Sequence, residues 1–160
     1  MERPGDIRRI VGEGVSSGLS EARLNAAVDQ LKPVFERVSF GEQPAYDDLD
    51  AAALRELEPE VGFVARSMVL TPTADLRIAG YHLMGVLDSK AVIPDLRAGL
   101  QSGREWERIE AVRALGRMSQ PDARSLLLET AGHPDLQTRR AAAEALRIGP
   151  ASRSRPHPAG

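Results

Sequence analysis

The sequence predicts an all-α fold: a short α-solenoid of helical hairpins with an N-terminal helical cap. Three observations predict it. Apolar residues recur at helical spacing along most of the chain. Aromatics make up only 4% of it, so alanine and leucine must do most of the packing, which suits closely approached helices better than sheets. A 31-residue register relates successive segments of the second half, and a fixed period of that length marks stacked repeats.

The register is carried by Arg77, Arg108 and Arg139. The segments that follow them match: Arg77-Ile-Ala-Gly-Tyr-His-Leu-Met-Gly85, Arg108-Ile-Glu-Ala-Val-Arg-Ala-Leu-Gly116 and Arg139-Arg-Ala-Ala-Ala-Glu-Ala-Leu-Arg147. The same offset aligns Val92 with Ala123, Leu96 with Leu127 and Leu100 with Ala131. Shifted back once more, it gives a degenerate unit at 46–76, where Val61 takes the place of Val92 and Pro72 that of Pro134. The predicted units are 46–76, 77–107, 108–138 and a partial unit at 139–149. Paired helices are expected at about 77–87 with 90–101 and at about 108–118 with 121–131, followed by one at about 137–148. Ser119-Gln-Pro-Asp122 and Gly132-His-Pro-Asp135 supply the breaks. Such a unit cannot bury its apolar face alone, so neighbours share one core. Ala79, Ala111, Ala141, Ala142 and Ala145 then mark close helix contacts.

These segments resemble the HEAT-like repeats first described in phycobilisome lyase subunits: an arginine, two residues, a small-residue pair, leucine-glycine, a turn and a second helix. The resemblance is clear over 77–149, weak over 46–76, and does not reach 1–45. It implies an α-solenoid and leaves function open, since unrelated activities share the fold. Arg147 stands where the pattern has glycine, which suits a terminal unit.

Ahead of the repeats, residues 1–45 read as the cap. A short helix at about 5–13 precedes an amphipathic helix over 20–39, with Leu24, Ala27, Val28, Leu31, Val34, Phe35 and Val38 on one stripe, Ser20 as N-cap and a kink at Pro33. Gly12–Gly18 reads as a flexible linker. It lacks the lysine of a phosphate loop, and Glu13 would repel phosphate. The tail, 150–160, has no apolar residue larger than alanine and is expected to be disordered.

Composition excludes several classes. There is no cysteine, which removes disulfides, thiolate metal sites and cysteine nucleophiles. His82, His133 and His157 share no ligand spacing, so no metal and no cofactor is expected. His82 is expected to face solvent. A net charge of −2 argues against a general nucleic-acid binder. Seven acids against Arg55 in residues 42–60 read as a solvated helix start at about 47–57, where acids favour the helix dipole. Their other use is as a negative patch for a basic partner. Arginine outnumbers lysine 19 to 2, the codon bias of a GC-rich, bacterial-type genome. With no signal-peptide core and no membrane-length apolar run, a cytoplasmic address is expected.

What remains is a non-catalytic protein-binding module: an adaptor, a regulator or an immunity-type protein. The lyase resemblance implies an alternative, a subunit acting on a bilin protein. A nucleic-acid-binding HEAT-like protein is a third, disfavoured by scarce aromatics and the net charge. The partner is expected to be another protein, gripped on the concave face of the second helices, and self-association is left open. Candidate binding residues are Lys90, Asp95, Arg97, Arg124, Leu128 and Glu129. Arg97 and Arg124 lie 27 residues apart, near enough in register to share a site, with Asp95 and Glu129 as internal neutralising acids. Trp106, the one tryptophan, is either a plug between units or an interface anchor.

Overall fold

The computed structural model describes residues 4–42 and 49–148. Among these, ten α-helices and a 3-10 turn at Lys90–Val92 account for the regular structure, with no strand. Among the described residues, no helix is long and apolar enough to cross a membrane. The predicted tail lies outside the described residues. The chain divides into two compact units, Met1–Leu83 and Met84–Gly160.

In the first unit, α1 (Pro4–Ser16), α2 (Glu21–Gln30) and α5 (Glu58–Val69) pack on one another. The linker expected at 12–18 is helical as far as Ser16. Gly14 explains why: a Cβ there would stand 2.7 Å from Leu24 Cδ1. Glycine lowers helix propensity but lets α2 approach. Gly18, at φ 97°, ends the helix. The Leu19 N–H reaches back to the Gly14 carbonyl and the Gly18 N–H to that of Val15, a Schellman closure that needs a left-handed residue.

The single kinked helix expected over 20–39 is instead two helices. Ser20 caps α2 by accepting from the Arg23 N–H, but α2 stops at Gln30 and α3 runs Lys32–Ser39. Pro33 has no N–H to continue the ladder, and a proline tolerates only the first turn of a helix, where it sits in α3. The apolar stripe survives the break, with Leu24, Ala27, Leu31, Val34 and Phe35 buried.

The helix expected at 47–57 is α4, Ala51–Glu56, with the Asp50 side chain as N-cap. Residues 47 and 48 lie outside the described residues. The acids at 42–60 are not all solvated. Glu60, in the first turn of α5, is buried and pairs with Arg23 at 3.0 Å. Arg23 also donates to the Glu56 carbonyl at 2.8 Å. A buried carboxylate demands such a partner. α6 (Ala74–Leu87) follows. Its Gly80 backbone lies against α5, where a Cβ would be 2.8 Å from Val69 Cγ1 and 2.9 Å from the Ala65 carbonyl oxygen. His82, expected in solvent, is half-buried on this helix.

The second unit holds the repeats proper: α7 (Ile93–Leu100), α8 (Glu105–Arg117), α9 (Pro121–Thr130) and α10 (Leu136–Ile148). α8 packs on α7, α9 and α10, and α9 also on α7 and α10. Leu96, Ala111, Val112, Leu115, Met118, Ala123, Leu127 and Ala142 form its core. Glycines set the helix spacing at equivalent places. A Cβ on Gly85 would meet the Ala114 carbonyl oxygen at 3.0 Å, and one on Gly116 would meet Ala145 Cβ at 3.0 Å.

The repeat arginines brace the turns between units. Arg77, Arg108 and Arg139 each donate through Nη1 to the carbonyl six residues earlier: Thr71 at 3.1 Å, Ser102 at 2.9 Å and His133 at 3.0 Å. Arg108 also donates to Thr138 Oγ1 at 3.0 Å and pairs with Asp135 at 3.3 Å. Asp135 caps α10, accepting from the Thr138 N–H and hydroxyl. These two bonds, with Arg108 beside them, hold its carboxyl down at about 2. Asp88, at φ 52°, ties successive turns together. Its carboxylate accepts from the Ser119 N–H and hydroxyl, and its carbonyl from Gln120.

Candidate functional site

The second helices of the repeats, α7 and α9, reach their places through turn chemistry. Ser89 caps the 3-10 turn by accepting from the Ala91 N–H, and Pro94 sits in the first turn of α7. Pro121 opens α9, where its missing N–H costs nothing. Each helix then buries one side, Leu96, Gly99 and Leu100 on α7 and Ala123, Leu126, Leu127 and Thr130 on α9.

Between these helices and the following turn lies a groove of about 420 Å3. Arg97, Leu100 and Gln101 line it from α7 and its end, and Leu126, Glu129, Thr130 and His133 from α9 and its end. The floor is apolar and buried at Leu100 and Leu126. The Thr130 hydroxyl is spent on the Leu126 carbonyl. His133 Nδ1 accepts from the Asp135 N–H at 2.9 Å, so the neutral ring carries its proton on Nε2 as a donor. Arg97 and Glu129 are exposed, and among the described residues neither forms an ion pair. The groove therefore offers an unneutralised guanidinium and an unneutralised carboxylate beside an apolar floor.

Of the residues singled out in the sequence, Arg97 and Glu129 come together here. Lys90 is exposed on the 3-10 turn, and Asp95 is half-buried in the first turn of α7. Leu128 is 55% exposed but does not line the groove. Trp106 is half-buried in the first turn of α8. Arg124 does not share the Arg97 depression. It is half-buried against α8 and α10, beside Leu115, Gly116, Met118, Ala145 and Leu146. Its Nη1 is buried with no hydrogen-bond partner. Asp95 and Glu129 do not neutralise the two arginines by ion pairs. Position along the helix accounts for the difference, since a displacement of four residues is about one turn, roughly 6 Å of rise, and it sets Arg124 near the start of α9 while Arg97 stands in the last turn of α7.

Gln101, Thr130 and His133 were read as turn or helix-end residues. The register held the signal for two of them. Gln101 aligns with Gly132 and Ser102 with His133, so helix ends that follow α7 and α9 must lie side by side.

Two comparisons with known proteins find nothing: no curated protein and no solved structure matches this chain. The third finds a family. The sequence model described as HEAT repeats matches residues 64–148, more than half of the 160-residue chain.

Proposed function

Because the chain belongs to the HEAT-repeat family, whose members generally serve as protein-interaction scaffolds, we propose that it is a non-catalytic binding module that grips a partner protein in the α7–α9 groove. The observation that carries this reading is the pairing of an unneutralised Arg97 and Glu129 with the buried Leu100–Leu126 floor. Exposed charges of this kind steer encounter and fix register more than they add affinity. The apolar floor supplies the area a partner side chain would bury, at about 25 cal/mol per Å2. Lys90, Asp95, Leu128 and Trp106 extend the proposed surface. Arg124, turned toward α8 and α10, acts from its edge. An adaptor, a regulator and an immunity-type protein would all use such a groove.

The test begins with affinity capture of the full chain from its native host, with mass spectrometry of what is retained. Arg97→Glu and Glu129→Arg are then compared singly and together against the captured partner. Each single reversal should slow association about tenfold and alter its salt dependence, with thermal stability unchanged. Adding Arg124→Glu to Arg97→Glu should change association little further. Unchanged association in both single variants would move the interface elsewhere, with the acids of 42–60 next in line.

A further inference from the structure

Two exposed positions of α8 change character on α10. Leu136 and Ile148 stand 31 residues after Glu105 and Arg117, and all four side chains are exposed. Where α8 offers water an acid and a base, α10 offers two large aliphatic groups, 43% and 47% exposed. Single exposed leucines need no explanation, but here the residues between the two are ordered as well.

Leu136, Arg140, Glu144 and Ile148 follow one another at intervals of four residues, so they form one ridge along the helix. Arg140 and Glu144 are exposed like the two ends. The ridge lies opposite Ala142, which is buried where α10 packs on α8 and α9. It reads apolar, basic, acidic, apolar, and Ala142 is its midpoint, two residues from each charge and six from each apolar end. Reversed, the ridge therefore meets itself in matching order, leucine beside isoleucine and arginine beside glutamate. Glu144 pairs with Arg147 of its own helix at 2.6 Å, whereas Arg140 forms no ion pair among the described residues. Glu144 and Ile148 also line a depression of about 480 Å3 between α8 and α10, floored by Ile109, Val112, Ala141 and Ala145.

We propose that this ridge is the interface with a second copy of this chain, the two α10 helices crossing antiparallel about a two-fold axis. Rows spaced by four residues lie alongside one another when helices cross at about −50°. Leu136 of each copy then rests beside Ile148 of the other, and Arg140 beside Glu144. The two-fold repeats each contact, so one ion pair becomes two. A basic or an acidic partner would match only half of the ridge. The contact involves a few side chains from each copy and falls short of the roughly 1,200 Å2 of stable complexes, so the dimer is weak. It shares no residue with the α7–α9 groove.

Sedimentation equilibrium of the full chain tests it. From about 1 to 200 µM the chain should pass from mostly monomer to mostly dimer, the range of a small interface. Arg140→Glu and Glu144→Arg should each stay monomeric, because each brings like charges together across the two-fold. An equimolar mixture of these two variants should dimerise again, since each supplies the charges that the other lacks. Leu136→Gln with Ile148→Gln should weaken the dimer at least about tenfold, with helicity by circular dichroism unchanged. The proposal falls if the chain is monomeric at the highest concentration, if the dimer survives either charge reversal, if the mixture stays monomeric, or if the glutamine variant dimerises as the wild type does.

Discussion

Adding one methyl group at three glycines should give three different results, because the space around each differs. A Cβ on Gly80 would lie 2.8 Å from Val69 Cγ1, 2.9 Å from the Ala65 carbonyl oxygen and 3.0 Å from Met68 Cβ. One on Gly85 would lie 3.0 Å from the Ala114 carbonyl oxygen and 3.1 Å from its Cα. One on Gly12 would meet nothing within 4 Å. All three stand in helices, so alanine contributes a propensity gain of about 0.5–1 kcal/mol at each. Against this, overpacking costs about 1–3 kcal/mol, and backbone atoms give way less readily than side-chain tips. Gly80→Ala should therefore destabilise by about 2 kcal/mol and Gly85→Ala by about 1 kcal/mol, while Gly12→Ala should stabilise by about 0.5 kcal/mol. At about 2–4 °C per kcal/mol for a chain of this size, thermal melts followed by circular dichroism separate the three. Gly80→Ala at or above wild-type stability would refute the close approach of α6 to α5. A loss at Gly12→Ala would refute its open surroundings.

Leu115, 1% exposed, should cost about 2–5 kcal/mol when cut to alanine, whereas Leu128, 55% exposed, should cost about 0.5 kcal/mol or less; urea midpoints measure both, and reversed costs would overturn the register. Arg23→Ala strips the buried Glu60 of its counter-charge and should cost about 1–3 kcal/mol at neutral pH, with Glu60→Gln recovering part of the loss in the double variant. A double variant no more stable than Arg23→Ala would show that Glu60 finds another partner. Asp135 titrates at about 2 when folded, below its unfolded value of about 3.9, so its contribution is present in full above about pH 4 and is lost as pH falls toward 2. The stability gap between the wild type and Asp135→Asn should accordingly be constant from neutral pH to about 5 and shrink between about 4 and 2; a gap independent of pH would dismiss the cap.

The repeats were legible because their evidence is periodic. Arg77, Arg108 and Arg139 carry it, and α6 to α10 fall within a few residues of the expected helices. Features that depend on a meeting of distant residues were not legible. The Arg23–Glu60 pair spans 37 residues outside the register, so Glu60 looked like any acid at a helix start. Gly14 looked like a linker because nothing local reveals that Leu24 comes to rest on it. The stripe from Leu24 to Val38 was read correctly as one face, but a stripe of period 3.6 runs on through a break of one residue, and Pro33 had to be weighed against it. At the groove, Arg97 and Glu129 were found by their place on second helices. Arg124 was misplaced because an offset of one turn was taken as nearness, though it moves the side chain roughly 6 Å along the helix, and Gln101 and His133 were passed over because the ends of helices carry no apolar period.

The arginine braces have a consequence for how this chain tolerates change. Each guanidinium anchors to a main-chain oxygen, at Thr71, Ser102 and His133, and every residue offers one whatever its side chain. The three junctions accordingly differ in sequence, Thr71-Pro-Thr, Ser102-Gly-Arg and His133-Pro-Asp, yet close in the same way. Recognition of backbone leaves those positions open to substitution. A hairpin lifted from one place in the array and spliced into another would bring its own fastening with it. Arrays of this kind can lengthen by duplication and diverge where the brace meets only backbone, whereas the side-chain links of Arg108 with Asp135 and of Asp88 with Ser119 must be kept together.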